Sequence, residues 1–168
     1  GYLEIDNPGC LFKFTLQLNK AQLIPVEESA KTEIFQSKGA SELKDANILL
    51  VEDNSINQKI VLLSLKGKVK NIDLANNGKE ALDKFGTTRY DIILMDIQMP
   101  VMNGIVATKK IRELEISSNL HTPIIAITAN ALSGDKEACL AAGMNDYISK
   151  PFQVEMLLKK MENLLKDT

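Results

Sequence analysis

The sequence predicts an α/β fold, a parallel sheet with helices on both faces. Three observations carry that. From Ala46 onward, short apolar runs alternate with longer helix-like stretches five times in about 120 residues, as βα units do. Three of the runs, Ile48 to Val51, Ile92 to Met95 and Ile124 to Ile127, are apolar throughout, as strands covered on both faces must be. Four of the runs are followed by polar residues, namely Glu52-Asp53, Asp96, Thr128 and Lys150. Open parallel sheets place their ligand sites beyond the carboxyl ends of the strands.

Taken in order, residues 47–51 form the first strand. Residues 54–66 follow as a helix, with Ile56, Ile60 and Leu63 at helical spacing. Residues 72–75 are a strand that Asp73 interrupts, which suits a sheet edge, and 78–85 are a helix. Strand 91–95 precedes helix 104–114, strand 123–128 precedes helix 133–142, and strand 146–149 precedes helix 152–166. Ahead of this rhythm the chain differs. Residues 1–20 read as a β-hairpin-like extension, with the turn Asp6-Asn7-Pro8-Gly9 leading into Leu11 to Leu18, which alternates apolar and polar residues. A lone hairpin is marginal in water, so it is expected to be disordered, docked on the rest of the chain or paired with another chain. Residues 21–45 are polar, hold a Pro and a Gly, show no period, and read as a linker.

Composition narrows the function. Lys and Arg number 20 against 22 Asp and Glu, for a net charge of −2, so no nucleic-acid partner is expected. No apolar run nears the ~20 residues that span a bilayer, and no signal peptide is visible. The expected location is therefore cytoplasmic, with no membrane contact by this chain. Cys10 and Cys139 form no CxxC pair and read as free thiols. His121, the single histidine, reads as a surface loop residue.

Glu52, Asp53, Asp96, Thr128 and Lys150 thus gather at one sheet edge. Clustered carboxylates repel, and one would take up a proton unless a cation intervened. Hard oxygen ligands favour magnesium, which uses one or two carboxylates plus phosphate oxygens. A lysine beside such an ion makes a place to receive a phosphoryl group, with an aspartate as nucleophile.

The blocks LLVEDNSINQ, LMDIQMPVMNG, IIAITANA and AAGMNDYISKPF resemble the receiver domain of response regulators, of the kind fused to hybrid sensor histidine kinases. The resemblance covers about residues 46–166, within a receiver domain read as 46–168. It implies a flavodoxin-like (βα)5 doubly wound five-stranded sheet of order 2-1-3-4-5, acting in a two-component phosphorelay. It implies Asp96 as phosphoacceptor and Lys150 and Thr128 as its phosphoryl contacts. It implies Mg2+, with Mn2+ as an alternative, held by Glu52, Asp53, Asp96 and the backbone carbonyl of Gln98. The family often has Asp where this chain has Glu52, whose longer arm leaves its contact with the metal open. Thr128 and Tyr147 resemble the switch pair, Gln98 and Asn130 the positions that tune phosphoryl lifetime, and a cis Lys150-Pro151 bond is implied. The implied partner is a phosphohistidine on a histidine kinase or phosphotransfer domain. The segment GYLEIDNPGCLFKFTLQL is similar to the closing strands of a histidine kinase ATP-binding domain, so residues 1–20 read as a remnant of it. No histidine helix and no ATP lid accompany it, so kinase activity belongs to a parent protein, which itself can be membrane-anchored. A second copy of the chain is an alternative partner. A phosphorylation-independent scaffold on the same fold is the alternative function.

Overall fold

The computed structural model describes residues 43–116, 121–129 and 133–166. The expected hairpin, the linker up to residue 42, and Asn130 lie outside the described residues.

Five strands form one parallel sheet: β1 (Asn47–Val51), β2 (Asn71–Ala75), β3 (Ile92–Asp96), β4 (Ile124–Thr128) and β5 (Asp146–Ser149). Their order is β2-β1-β3-β4-β5, as expected. Five helices alternate with them: α1 (Ser55–Leu65), α2 (Gly78–Phe85), α3 (Gly104–Ile116), α4 (Ser133–Ala141) and α5 (Val154–Lys166).

Successive strand residues point to opposite faces, and the sheet therefore has two cores. Ile48, Leu50, Leu94, Ile125 and Ile148 meet Val61 and Leu65 of α1 and Leu157 and Met161 of α5. Leu49, Val51, Met95 and Ala126 meet Ala81 of α2, Ala107 and Ile111 of α3, and Cys139 of α4. Leu43, which sequence places in the linker, is buried in the first core.

Two local readings change. α1 forms, yet Ile56, Ile60 and Leu63 are 66%, 54% and 73% exposed. Its inner face is Gln58, Val61 and Leu65. The reason is polar. Asn54 caps the helix, its side chain accepting from the N–H groups of Ile56 and Asn57. The Gln58 amide donates to the Glu52 carbonyl at 2.7 Å and to Asn76 Oδ1 at 3.0 Å. Those bonds fix the helix rotation and turn the second apolar stripe outward. β3, in turn, runs one residue further than expected, so Asp96 is its last residue rather than the one after it.

β2 is an edge strand as expected, but Asp73 is not idle there. It accepts from the Tyr90 hydroxyl at 2.8 Å and from the Asn71 amide at 3.1 Å. The Lys150-Pro151 bond is cis.

Candidate functional site

β1 and β3 are neighbours in register, Val51 opposite Met95. Glu52 and Asp96, which follow those two residues, therefore emerge side by side. β4 and β5 pair Thr128 with Ser149, which brings Lys150 to the same edge, its N–H donating to the Thr128 carbonyl at 2.7 Å. Four strand ends thus deliver the predicted residues to one place.

Glu52 and Asp96 are only 1% and 6% exposed, and Thr128 is also buried. Buried carboxylates need partners, and Lys150 supplies one. Its Nζ lies 2.6 Å from Glu52 Oε2 and 2.7 Å from Asp96 Oδ2. Burial pulls the ammonium toward the neutral form, but the hydrogen bonds and charges of Asp96 and Glu52 outweigh it. The Lys150 pKa is raised above the ordinary lysine value. Two of its three N–H groups are used, which leaves one to meet an incoming oxygen.

Other bonds hold each acid in place. Asp96 Oδ1 accepts the Gln98 N–H at 3.1 Å. Glu52 Oε1 accepts the Asn57 side chain at 2.8 Å and the Asn54 N–H at 3.3 Å. Behind β3, Gly104 opens α3 with its N–H on the Ile97 carbonyl. A Cβ there would lie 2.1 Å from the Asp96 carbonyl oxygen. Only a glycine lets the helix approach so closely.

Asp53 is exposed. One carboxylate oxygen from each of Glu52, Asp53 and Asp96 lies within 4.8 Å of the other two. Among the described residues this is the one acidic trio so arranged, and a single ammonium does not balance it. Hard oxygens at that separation fit a small divalent cation. Because Asn54, not Glu52 or Asp53, caps α1, helix capping does not account for the acids.

Gln98 is exposed beside Asp96, and Tyr147 is half-buried on β5. His121 is exposed, away from the acids, before the first residue of β4. Sequence reasoning missed Asn57 and Gln58, which bind Glu52 through side chain and backbone. A glutamine on the inner face of an otherwise apolar helix was the available signal. Gly104 reads in sequence as a glycine of the loop after Asp96 where a helix begins, and the structure adds its contact with the Asp96 carbonyl.

Among the described residues, no helix is long and apolar enough to cross a membrane.

Comparison with known proteins points one way. Residues 48–162 match the family model described as the response regulator receiver domain. The chain is 43% identical over 122 residues to hybrid signal transduction histidine kinase I of Dictyostelium discoideum, which covers 70% of this chain but only 7% of that protein. The chain therefore spans a small part of the curated relatives it matches. Among solved structures it resembles the receiver domain of the sensor histidine kinase PA1611 of Pseudomonas aeruginosa, with magnesium coordinated in its active-site cleft. That likeness has a TM-score of 0.66 and 42% identity, and covers 73% of this chain and 98% of the other. It also resembles the Ssk1 receiver domain of Saccharomyces cerevisiae, crystallised with the histidine phosphotransfer protein Ypd1. There the TM-score is 0.64 and the identity 38%, covering 71% of this chain and 88% of the other.

Proposed function

Because the chain belongs to the response regulator receiver domain family, whose members work in two-component phosphorelays, we propose that Asp96 is its phosphoacceptor and a phosphohistidine its donor. The observation that carries the reading is the buried Asp96 carboxylate, held between the Gln98 N–H and the Lys150 ammonium at a strand tip. An Asp96 oxygen attacks phosphorus. The P–N bond of the phosphohistidine breaks, and its electron pair stays on the imidazole nitrogen. Lys150 meets the phosphoryl oxygens with its remaining N–H, and Thr128 donates its hydroxyl to them. Magnesium, with manganese as an alternative, would be held by Glu52, Asp53, Asp96 and the Gln98 carbonyl and would neutralise charge on those oxygens. Glu52 keeps its second oxygen on Asn57, which supports contact with the ion through water.

The added charge draws Thr128 and Lys150 toward Asp96. Tyr147 then turns inward, and the face of α4, β5 and α5 changes. The Gln98 and Asn130 amides set how readily water removes the group. Residues 1–20 and 21–45 fit the order of a hybrid kinase, in which this receiver would follow the ATP-binding domain in the cytoplasm.

The outward stripe of Ile56, Ile60 and Leu63 supports a protein donor. Ile60 lines a cleft of about 300 Å³ together with Val61, Pro151 and Phe152, and Glu52 and Lys150 line it too. An apolar surface bordering the acceptor suits docking of a phosphohistidine protein.

Intact-mass spectrometry after incubation with acetyl phosphate tests the reading. One phosphoryl adduct that needs Mg2+ and is absent in Asp96→Asn is the expected result. No adduct and no Mg2+ binding would favour the scaffold function instead. Ile60→Glu should slow transfer from a phosphohistidine protein and leave acetyl phosphate labelling unchanged.

A further inference from the structure

Tyr147 belongs to the edge strand β5, half-buried against the second core. Its ring does not face water alone. Lys136 Nζ of α4 lies 5.1 Å from the ring centroid, and Lys160 Nζ of α5 lies 5.7 Å from it. Both fall within the ~6 Å at which an ammonium is attracted by the quadrupole of an aromatic face. Two helices that flank β5 therefore meet on one side chain.

Lys160 is itself anchored. Its Nζ bonds both oxygens of Asp146, at 2.8 and 2.7 Å. Asp146 Oδ1 also accepts the backbone N–H of Tyr147 at 2.7 Å. The residue before the tyrosine thus fixes the cation that holds the tyrosine ring. A tethered ammonium cannot follow the ring if the ring moves.

We infer that Lys136 and Lys160 are positioning residues that clasp Tyr147 in the half-buried place it holds here and so set the threshold of the switch. This rests on the switch reading given above. When the ring turns toward Thr128, it leaves both ammonium groups. The clasp therefore stabilises the resting state alone, and an interaction made in only one of two states shifts their populations. Each contact is worth roughly a three-fold change in that equilibrium, and the two together roughly ten-fold. Methionine keeps the length and apolar stem of lysine without the charge. Arginine keeps the charge and stacks on rings, so it should restore the clasp.

The test uses the full chain with Lys136→Met, Lys160→Met, the double Met variant and the double Arg variant. Two quantities are read. One is the initial rate of Asp96 labelling by acetyl phosphate and Mg2+, followed by intact mass. The other is the χ1 population of Tyr147 before phosphorylation, from NMR of 13C-labelled tyrosine. The expected result is labelling about three-fold faster for each Met variant and about ten-fold for both, with a matching inward shift of Tyr147. The double Arg variant should stay within about two-fold of the parent. Parent-like labelling and an unmoved Tyr147 in the double Met variant would overturn the clasp. So would faster labelling without a shift of Tyr147, or a double Arg variant as fast as the double Met. If the parent is never labelled, the phosphoacceptor reading fails instead, and the Tyr147 populations alone decide the clasp.

Discussion

Asp53→Asn should make the metal-free protein more stable while removing its response to magnesium. Lys150 pairs with Glu52 and Asp96, so among the described residues its ion pairs leave Asp53 out. The Asp53 carboxylate nevertheless lies within 4.8 Å of both neighbouring acids. At that distance two like charges in a water-like medium repel by about 0.9 kcal/mol per pair. A water-like value is apt because Asp53 is exposed. Two acids repel it and one ammonium partly offsets them, so the net penalty is about 1 kcal/mol. The amide removes the penalty at almost constant shape, and Tm in EDTA should rise by about 3–5 °C. Magnesium reverses the ranking. At ten times its dissociation constant, a ligand that binds only the folded state adds about 1.4 kcal/mol. The parent should gain that and Asp53→Asn should not. Thermal unfolding of both proteins in EDTA and across a magnesium series measures all four states. If Asp53→Asn is no more stable than the parent in EDTA, or if magnesium raises both equally, the trio is not a repulsive metal site.

Three further predictions concern the frame around the acids. Gly104→Ala would normally favour a helix by up to about 1 kcal/mol, but here its Cβ meets the Asp96 carbonyl at 2.1 Å. It should cost about 3 kcal/mol in urea unfolding and weaken magnesium binding, and a stabilised variant would refute the packing. Tyr90→Phe tests an alkaline slope. Burial, then the bond to Asp73, pushes the Tyr90 phenol up to about 12, against about 10 in an unfolded chain. The neutral phenol is thus favoured in the native state. Its contribution is complete below pH 10 and lost as pH climbs toward 12. The stability difference between parent and Tyr90→Phe, about 1 kcal/mol at neutral pH, should shrink over that window, and a constant difference would refute the assignment. Arg112→Met should destabilise by about 3 kcal/mol. Arg112 donates to the Thr122 and Gly143 carbonyls, to Asn145 Oδ1 and to the buried Glu115. Asp96 labelling at a temperature where both proteins are folded should not change, since Thr122 and Asn145 lie ahead of β4 and β5, at the opposite sheet edge.

The fold was legible because the runs Ile48 to Val51, Ile92 to Met95 and Ile124 to Ile127 of its three central strands are apolar throughout. The site was legible for a related reason. In a parallel sheet every strand ends at the same edge, so the residues after separate apolar runs can be assembled without knowing any helix. What escaped was whatever depends on rotation or on distant pairs. α1 carries two apolar stripes of helical spacing, and periodicity cannot choose between them. Gln58 chose, through bonds to Glu52 and Asn76 that no local pattern reveals. The Arg112 cluster was equally hidden. It joins α3 to the loops before β4 and β5, between residues 10 to 33 positions apart in the chain. The lysines on Tyr147 come from helices on either side of β5, and each reads in sequence as an ordinary solvated charge.

The two edges of the sheet are built on different terms. At the amino edge, Arg112, Glu115, Thr122 and Asn145 satisfy one another, Asn145 Oδ1 also accepting from the Ile124 N–H. At the carboxyl edge, unfavourable features collect. Asp53 adds repulsion. Val101 holds φ at 67°, a region that costs an L-residue about 1–2 kcal/mol and that β-branched side chains seldom enter. It does so 81% exposed, with little burial in return. Ile60 stands 54% exposed in the cleft that Glu52 and Lys150 line. None of these features helps the chain fold, and each lies near an acid of the trio in the chain or in the cleft. A sheet that is satisfied at one edge and strained at the other concentrates its capacity for change where the phosphoryl group would arrive. The same distribution bears on why a clasp as weak as one exposed and one half-buried lysine can matter. A few-fold bias decides which state is populated only where the two states lie close in free energy, and strain at this edge favours that condition.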